Sequence, residues 1–207
     1  MYQLPTFFEE KVLWQQGYQL IAGVDEVGRG PLAGPVVAAA VILPLGIAPA
    51  WLNLVRDSKR LTVARREFLY DRIEEEALAI GVGSVCPELI DARGISAATR
   101  LAMRLAVEQL HHPPDFLLID AIKLPDLNLP QKSIIRGDGL SLSIAAASIV
   151  AKVTRDHFMI GYDGVYPNYG FARHKGYATR EHLSNLWRLG ASSIHRKSFA
   201  PVREVVG

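Results

Sequence analysis

Residues 20–43 read LIAGVDEVGRGPLAGPVVAAAVIL, two apolar runs rich in β-branched residues separated by a glycine-rich turn. Runs of this composition are buried strands, and the short connection makes Leu20–Val27 and Pro35–Leu43 a hairpin or adjacent strands. The first run ends on two carboxylates, Asp25 and Glu26. Charge at the end of a buried strand is costly unless something pairs it, and a cation is the natural partner. Between the runs, Gly28-Arg29-Gly30-Pro31-Leu32-Ala33 has the loose glycine spacing of a dinucleotide-binding turn. Such a turn must open a helix, whereas Pro31, Gly34 and Pro35 lead here into a second strand. The next carboxylate after Glu26 is Asp57, in a polar segment rather than at a strand end. The nicotinamide-enzyme reading is therefore set aside.

Working outward, Thr6-Phe7-Phe8-Glu9 has capping-box spacing and predicts a short helix to about Gln16. Thr62 opens a helix with Phe68, Leu69 and Ile73 on its apolar face and Arg65, Arg66, Asp71, Arg72 and Glu74 to Glu76 on the other. Ala79–Val85 predicts a strand, and Ser96 a helix cap before Leu101, Leu105 and Leu110, with Pro113-Pro114 as the stop. Phe116–Asp120 and Ser133–Arg136 read as strands, Ser141 to about Ile160 as a long alanine-rich helix, and Thr179–Leu189 as a final helix. This order implies an α/β domain: a mixed β-sheet flanked by helices, with a helical C-terminal extension. The 207 residues, 49% hydrophobic, suit one domain (1–207), of which about 161–207 forms the extension.

The formal charge is only +2, but it is unevenly placed. From Lys152 onward nine Lys or Arg face four Asp or Glu, and the remainder holds fourteen cations against seventeen acids. That asymmetry fits a basic binding surface beside an acidic centre as well as it fits an ordinary solvated face. No apolar run reaches the ~18 residues of a membrane span, and Glu9 and Glu10 interrupt the place of a secretory signal, so a cytoplasmic protein without membrane attachment is expected. Cys86, the single cysteine, sits in the apolar stretch from Ile80 to Pro87 and reads as a buried thiol. One thiol builds neither a disulfide framework nor a zinc cluster.

Asp120 repeats the strand-end placement after Phe116-Leu117-Leu118-Ile119, and Asp138 lies between Gly137 and Gly139 just before the long helix. Carboxylates at strand ends on one sheet edge can converge, and oxygen-only ligands select hard cations such as Mg²⁺ or Mn²⁺. Taken singly, Asp120 as a turn cap and Asp138 as a helix cap account for the same residues.

The string Asp25-Glu26-Val27-Gly28-Arg29-Gly30-Pro31-Leu32-Ala33-Gly34-Pro35-Val36 resembles the signature segment of the ribonuclease HII family. Asp57-Ser58-Lys59-Arg60-Leu61, Leu118-Ile119-Asp120, Gly137-Asp138 with Ser143 to Asp156, Tyr166 to Tyr177, and His195-Arg196-Lys197-Ser198-Phe199 resemble further segments of that family in the same order, over nearly the whole chain. The type HIII relatives, with a different glycine segment and usually an extra N-terminal domain, fit less well. The resemblance implies a ribonuclease H-like fold and an endonuclease that cuts the RNA of RNA–DNA hybrids and incises 5′ of single ribonucleotides in duplex DNA. It implies that Asp25, Glu26, Asp120 and Asp138 hold two Mg²⁺ or Mn²⁺ ions, one activating water and one stabilising the leaving 3′ oxygen, giving 5′-phosphate and 3′-hydroxyl ends.

It further implies that Gly28-Arg29-Gly30 reads the 2′-hydroxyl and that Tyr177 stacks beneath the following deoxyribose; Lys59, Lys152, Arg155, Arg196 and Lys197 are candidates for phosphate contacts, each of which an ordinary solvated surface charge would also explain. Tyr166 and Tyr169 are expected to pack. Gln3-Leu4-Pro5-Thr6-Phe7-Phe8 resembles the short motif by which bacterial replication proteins dock on the sliding clamp. A monomer is expected. Two other classes are separable by assay. A different two-metal nuclease would lack the ribose reader and cut all-DNA duplexes, and a non-catalytic hybrid-binding module would bind without metal-dependent turnover. Four carboxylates argue against the latter.

Overall fold

The computed structural model describes residues 4–56, 58 and 61–207; Gln3, Asp57, Lys59 and Arg60 of the sequence reading lie outside the described residues. Strands β1 (Ile21–Val27), β2 (Val36–Ile42), β3 (Ala79–Val85), β4 (Phe116–Asp120) and β5 (Gln131–Ile134) form one sheet in the order β3-β2-β1-β4-β5. β2 runs antiparallel to β1 and β3, while β4 is parallel to β1 and β5. The β1–β4 register pairs Val24 with Ile119, so the next residues, Asp25 within β1 and Asp120 at the end of β4, stand at the same level on neighbouring strands.

Helices α1 (Phe8–Gln15), α2 (Val63–Glu76), α3 (Pro87–Arg93), α4 (Ile95–Glu108), α5 (Leu142–Val165), α6 (Phe171–His174), α7 (Arg180–Leu189) and α8 (Ala200–Val206) complete the chain. On one face Val37 and Val41 pack with Leu69 and Ile73 of α2 and Ile149 and Val153 of α5. On the other, Val24, Ile42 and Leu117 pack with Ala98, Ala102 and Met103 of α4. The mixed sheet between helical layers, with α6–α8 as the C-terminal extension, is the expected architecture.

Two close approaches set the layers. A Cβ on Gly23 would lie 2.0 Å from the Ser143 carbonyl carbon and 2.3 Å from the Ile144 nitrogen, so glycine lets the first turn of α5 sit directly on β1. Gly81 and Gly83 do the same for α4, where a Cβ would meet the carbonyl oxygens of Ala106 at 2.0 Å and Ala102 at 2.1 Å. This explains one difference from expectation. The face α4 buries is made of Ala98, Ala102, Met103 and Ala106, while Leu101 and Leu105 sit half-buried at its flank. Only small side chains allow that contact. α4 begins at Ile95 behind Gly94, so Ser96 is within the helix and does not cap it.

Other local expectations are met or corrected. Thr62 and Ser141 are the caps of α2 and α5, accepting from the Arg65 and Ile144 N–H groups. Thr6 is not the cap of α1. Its backbone bridges to the start of α5, donating to Leu140 O at 3.0 Å and accepting from Leu142 N at 3.2 Å, and Glu9 pairs with Lys132 at 2.5 Å. Cys86 is exposed rather than buried: β3 alternates in burial, and the thiol stands just past its end, on the turn into α3. Among the described residues no helix is long and apolar enough to cross a membrane.

Candidate active site

Asp25, Glu26 and Asp120 each offer a carboxylate oxygen, all within 4.8 Å of one another. Asp25 is buried, and its Oδ1 accepts from the Glu26 N–H at 2.7 Å. Burial pushes the Asp25 carboxyl well above the usual range, and the charges of Glu26 and Asp120 push it further. Asp120 Oδ1 accepts from Gly137 N at 2.7 Å, tying the end of β4 to the single-turn 3-10 helix Gly137–Gly139 that carries Asp138. The 4.8 Å cluster does not extend to Asp138, which stands one residue beyond the Gly137 contact. An all-oxygen cluster with no thiol or imidazole in it fits a hard divalent cation.

Glu10, which sequence reasoning passed over, braces this corner. It is fully buried on α1, and its Oε1 accepts from Ser141 Oγ at 2.6 Å and Ser143 N at 2.9 Å, which fixes the start of α5 beside Asp138. Burial raises its pKa, opposed by those same hydrogen bonds. Nothing in Glu9-Glu10 distinguishes the fully buried acid from its half-buried neighbour locally.

The glycine loop after β1 is held from below by two arginines. Arg196, fully buried, donates to the carbonyls of Gly28 at 2.6 Å, Arg29 at 3.0 Å and Gly34 at 2.8 and 3.0 Å. Arg155, also fully buried, donates to Pro35 O at 2.9 Å, Ala33 O at 3.1 Å and Lys175 O at 2.9 Å. Burial lowers Arg155 to about 10 and Arg196 to about 9. Both were expected at phosphates. Their guanidinium forks are spent on loop carbonyls, so they shape the loop instead of meeting a duplex. Lys152 is paired with Asp156 at 2.5 Å, and Lys197 is exposed.

Glu26, Val27, Gly28, Arg29, Gly30 and Tyr177 line one cleft of about 170 Å³. Arg29 lies 3.5 Å from Glu26 across it. Tyr177 is 40% exposed, whereas Tyr169 is buried and donates to Gly190 O at 2.8 Å, as a packing residue should. Tyr166 meets Ser193. At the N-terminus Leu4, Pro5, Thr6 and Phe7 line a groove of this same chain with Ile47 and Leu52, and Phe7 packs beside Trp14; Phe8 is the exposed aromatic of the clamp-like segment.

Behind Tyr177 lie three buried histidines, His174, His182 and His195. Burial pushes His182 and His195 down to about 4; His174 lowers His182 further, and His182 and His174 lower His195. A histidine whose folded pKa lies below its unfolded value of ~6.5 favours the unfolded chain once protons bind. The stability is present above about 6.5 and is lost as pH falls toward 4. Urea unfolding is expected to show ~2 kcal/mol or more lost between pH 7 and pH 5. An unchanged midpoint over that interval would contradict the neutral assignment.

A sheet whose neighbouring strands β1 and β4 bring three carboxylates together, joined to a glycine loop and a basic helical extension, has the features that a metal-dependent phosphodiester hydrolase of the ribonuclease H-like fold requires. A family model described as Ribonuclease HII matches residues 22–202. Ribonuclease HII of Desulfitobacterium hafniense (strain Y51) is 59% identical over 196 residues, 95% of this chain and 74% of that protein. The crystal structure of ribonuclease H2 from Pyrococcus horikoshii OT3 superposes with a TM-score of 0.76 at 25% identity, covering 89% of this chain and 96% of that one. The PCNA:RNase HII complex of Archaeoglobus fulgidus contains a chain with TM-score 0.71 at 27% identity, covering 86% and 93%. The chain belongs to the ribonuclease HII family and is an endoribonuclease.

Proposed function

We propose that this endoribonuclease hydrolyses the RNA strand of RNA–DNA hybrids and also incises on the 5′ side of single ribonucleotides in duplex DNA. The observation that supports this reading is the shared cleft, in which Glu26 of the acidic cluster, Gly28-Arg29-Gly30 and Tyr177 line one space. Asp25, Glu26 and Asp120, with Asp138 from the adjoining turn, would hold the divalent cations. Two Mg²⁺ or Mn²⁺ ions held there would supply a more acidic attacking water and would neutralise charge on the phosphodiester and its leaving 3′ oxygen.

The chain's own groups do the selecting. A Cβ on Gly30 would stand in open space and one on Gly28 would lie 2.2 Å from Arg155 Nε, so glycine at 30 lets the backbone approach a ribose while glycine at 28 lets the loop settle on Arg155; a 2′-hydroxyl can then be hydrogen-bonded and a deoxyribose leaves that partner unmet. Tyr177 offers a flat apolar face for the next sugar. Lys197 is an exposed cation placed to meet phosphate without reading sequence, whereas Arg173 is paired with Glu181.

The test is incision of a DNA duplex carrying one ribonucleotide, with Mg²⁺ or Mn²⁺, beside an all-DNA duplex. Cutting on the 5′ side with 5′-phosphate and 3′-hydroxyl ends is expected on the first and none on the second. Tyr177→Ala should slow that incision by a factor matching ~1–3 kcal/mol of lost stacking. Equal cutting of both duplexes removes the ribose reader, and a Tyr177→Ala variant as active as the parent removes the platform.

A further inference from the structure

Two of the three histidines behind Tyr177, His182 and His195, form a hydrogen-bonded chain with one direction. The Tyr177 carbonyl can only accept, so His182 Nδ1, 2.9 Å away, carries a hydrogen and donates to it. In a neutral ring His182 Nε2 is then the acceptor, and His195 Nε2 donates to it across 3.0 Å. This leaves His195 Nδ1 as an acceptor, and it receives the Ser192 N–H at 3.0 Å and the Ser192 hydroxyl at 2.8 Å. Every nitrogen is matched by one tautomer set. His174 stacks on His182 at 4.4 Å, and its Nδ1 accepts from Gly176 N at 3.2 Å while its Nε2 meets Tyr169 O at 2.7 Å. Phe171 touches all three rings edge-on or tilted and seals them.

The far end of the chain is anchored on Leu32, Ala33 and Gly34, the segment that follows the Gly28–Gly30 wall of the cleft. His195 bridges Ala33, Gly34 N donates to Ile194 O at 2.9 Å, and Arg196 N donates to Leu32 O at 2.8 Å. The near end shares the Tyr177 carbonyl with Thr179 N at 2.8 Å. We propose that His182 and His195 are positioning residues that set the spacing between the Tyr177 platform and the Gly28–Gly30 loop, and so tune the enzyme for a ribonucleotide followed by a deoxyribonucleotide. The inference rests on the proposed stacking role of Tyr177. A structural role alone would cost stability with any side chain that breaks the core; a positioning role acts through one carbonyl and one ring.

The amide geometry of the substitutes separates these. Asparagine places its side-chain N–H near the Nδ1 position and can still donate to the Tyr177 carbonyl; glutamine reaches the Nε2 position and cannot. His182→Gln and His182→Phe are expected to lower kcat/KM on the single-ribonucleotide duplex about fivefold, the loss of one hydrogen bond, and His182→Asn to recover most of it. In a Tyr177→Ala background the His182 substitutions should cost almost nothing more, because the ring they position is gone. Fivefold losses that multiply undiminished with Tyr177→Ala would overturn the positioning role while leaving the platform in place.

A second measurement reads position without catalysis. With 3-fluorotyrosine incorporated and the Tyr177 resonance assigned by Tyr177→Phe, the ¹⁹F signal should shift in His182→Gln and stay near the parent's in His182→Asn. If Tyr177→Ala proves fully active, the stacking role fails first, and this shift still decides the spacing role. An unmoved resonance in His182→Gln overturns it. Should His182→Phe not fold, the Asn and Gln variants carry both comparisons.

Discussion

Asp25→Asn is expected to reduce metal-dependent cleavage ~10³-fold or more, as is Asp138→Asn, while binding of an RNA–DNA hybrid stays close to the parent's. The two readouts separate because the acids hold cations whereas exposed Lys and Arg hold the backbone. Cleavage under single-turnover conditions and hybrid binding measured in Ca²⁺ would check this. More than a few percent of parental activity in both variants would displace the carboxylates from the centre of the chemistry.

For Asp25→Asn the same site also predicts a gain in stability. The folded-state pKa of Asp25 is raised, by burial first and by Glu26 and Asp120 next. A raised acid pKa means the folded chain binds more protons than the unfolded one. The stability this gives is complete below the unfolded value of about 3.8 and is lost as pH rises through the raised folded value. At pH 7 in chelator, well above the unfolded value, the parent has lost stability that the asparagine variant never had to lose. The variant should therefore melt higher in chelator, at ~2–4 °C per kcal/mol for a chain of this size, and gain less from added Mg²⁺. A lower melting temperature for the variant in chelator would show that its hydrogen bond to Glu26 N and its contact with Ser148 outweigh the desolvation.

Arg196→Met should be the most destabilising single change on the substrate side, costing ~3–5 kcal/mol in urea unfolding at neutral pH. The methionine fills the volume but leaves the carbonyls of Gly28, Arg29 and Gly34 buried without their donors. Arg196→Lys should recover only part, since one ammonium cannot span three carbonyls served by a planar fork. A loss under ~1 kcal/mol for Arg196→Met would mean the loop relaxes to water and is not held from beneath.

The same residue marks the limit of what the sequence discloses. Asp25-Glu26 after an apolar run, Asp120 after another and the Thr62 and Ser141 caps were legible because strand ends and helix starts are local patterns. The burial of Arg155 and Arg196 was not, since an arginine among lysines and histidines has the composition of a surface, and only the folded loop supplies the carbonyls. Helices α3, α6 and α8 escaped because each is a turn or two long, below the reach of a periodic signal. Cys86 looked buried from its apolar neighbours, yet the strand had already ended. The histidine chain joins residues 174, 182 and 195 from separate segments, a juxtaposition visible only in three dimensions.

The strand order also sets when the enzyme becomes an enzyme. β1 is flanked by β2, which follows it at once, and by β4, which comes about ninety residues later in the order β3-β2-β1-β4-β5. A ribosome that has delivered the chain through α4 has made Asp25 and Glu26 and half a sheet, but not Asp120, the turn with Asp138, or the helix that rests on Gly23. The loop that would read ribose is by then also made, without either arginine that shapes it. Nuclease competence therefore arrives with the last quarter of the chain, and a nascent or truncated product carries the signature acids without a cutting site.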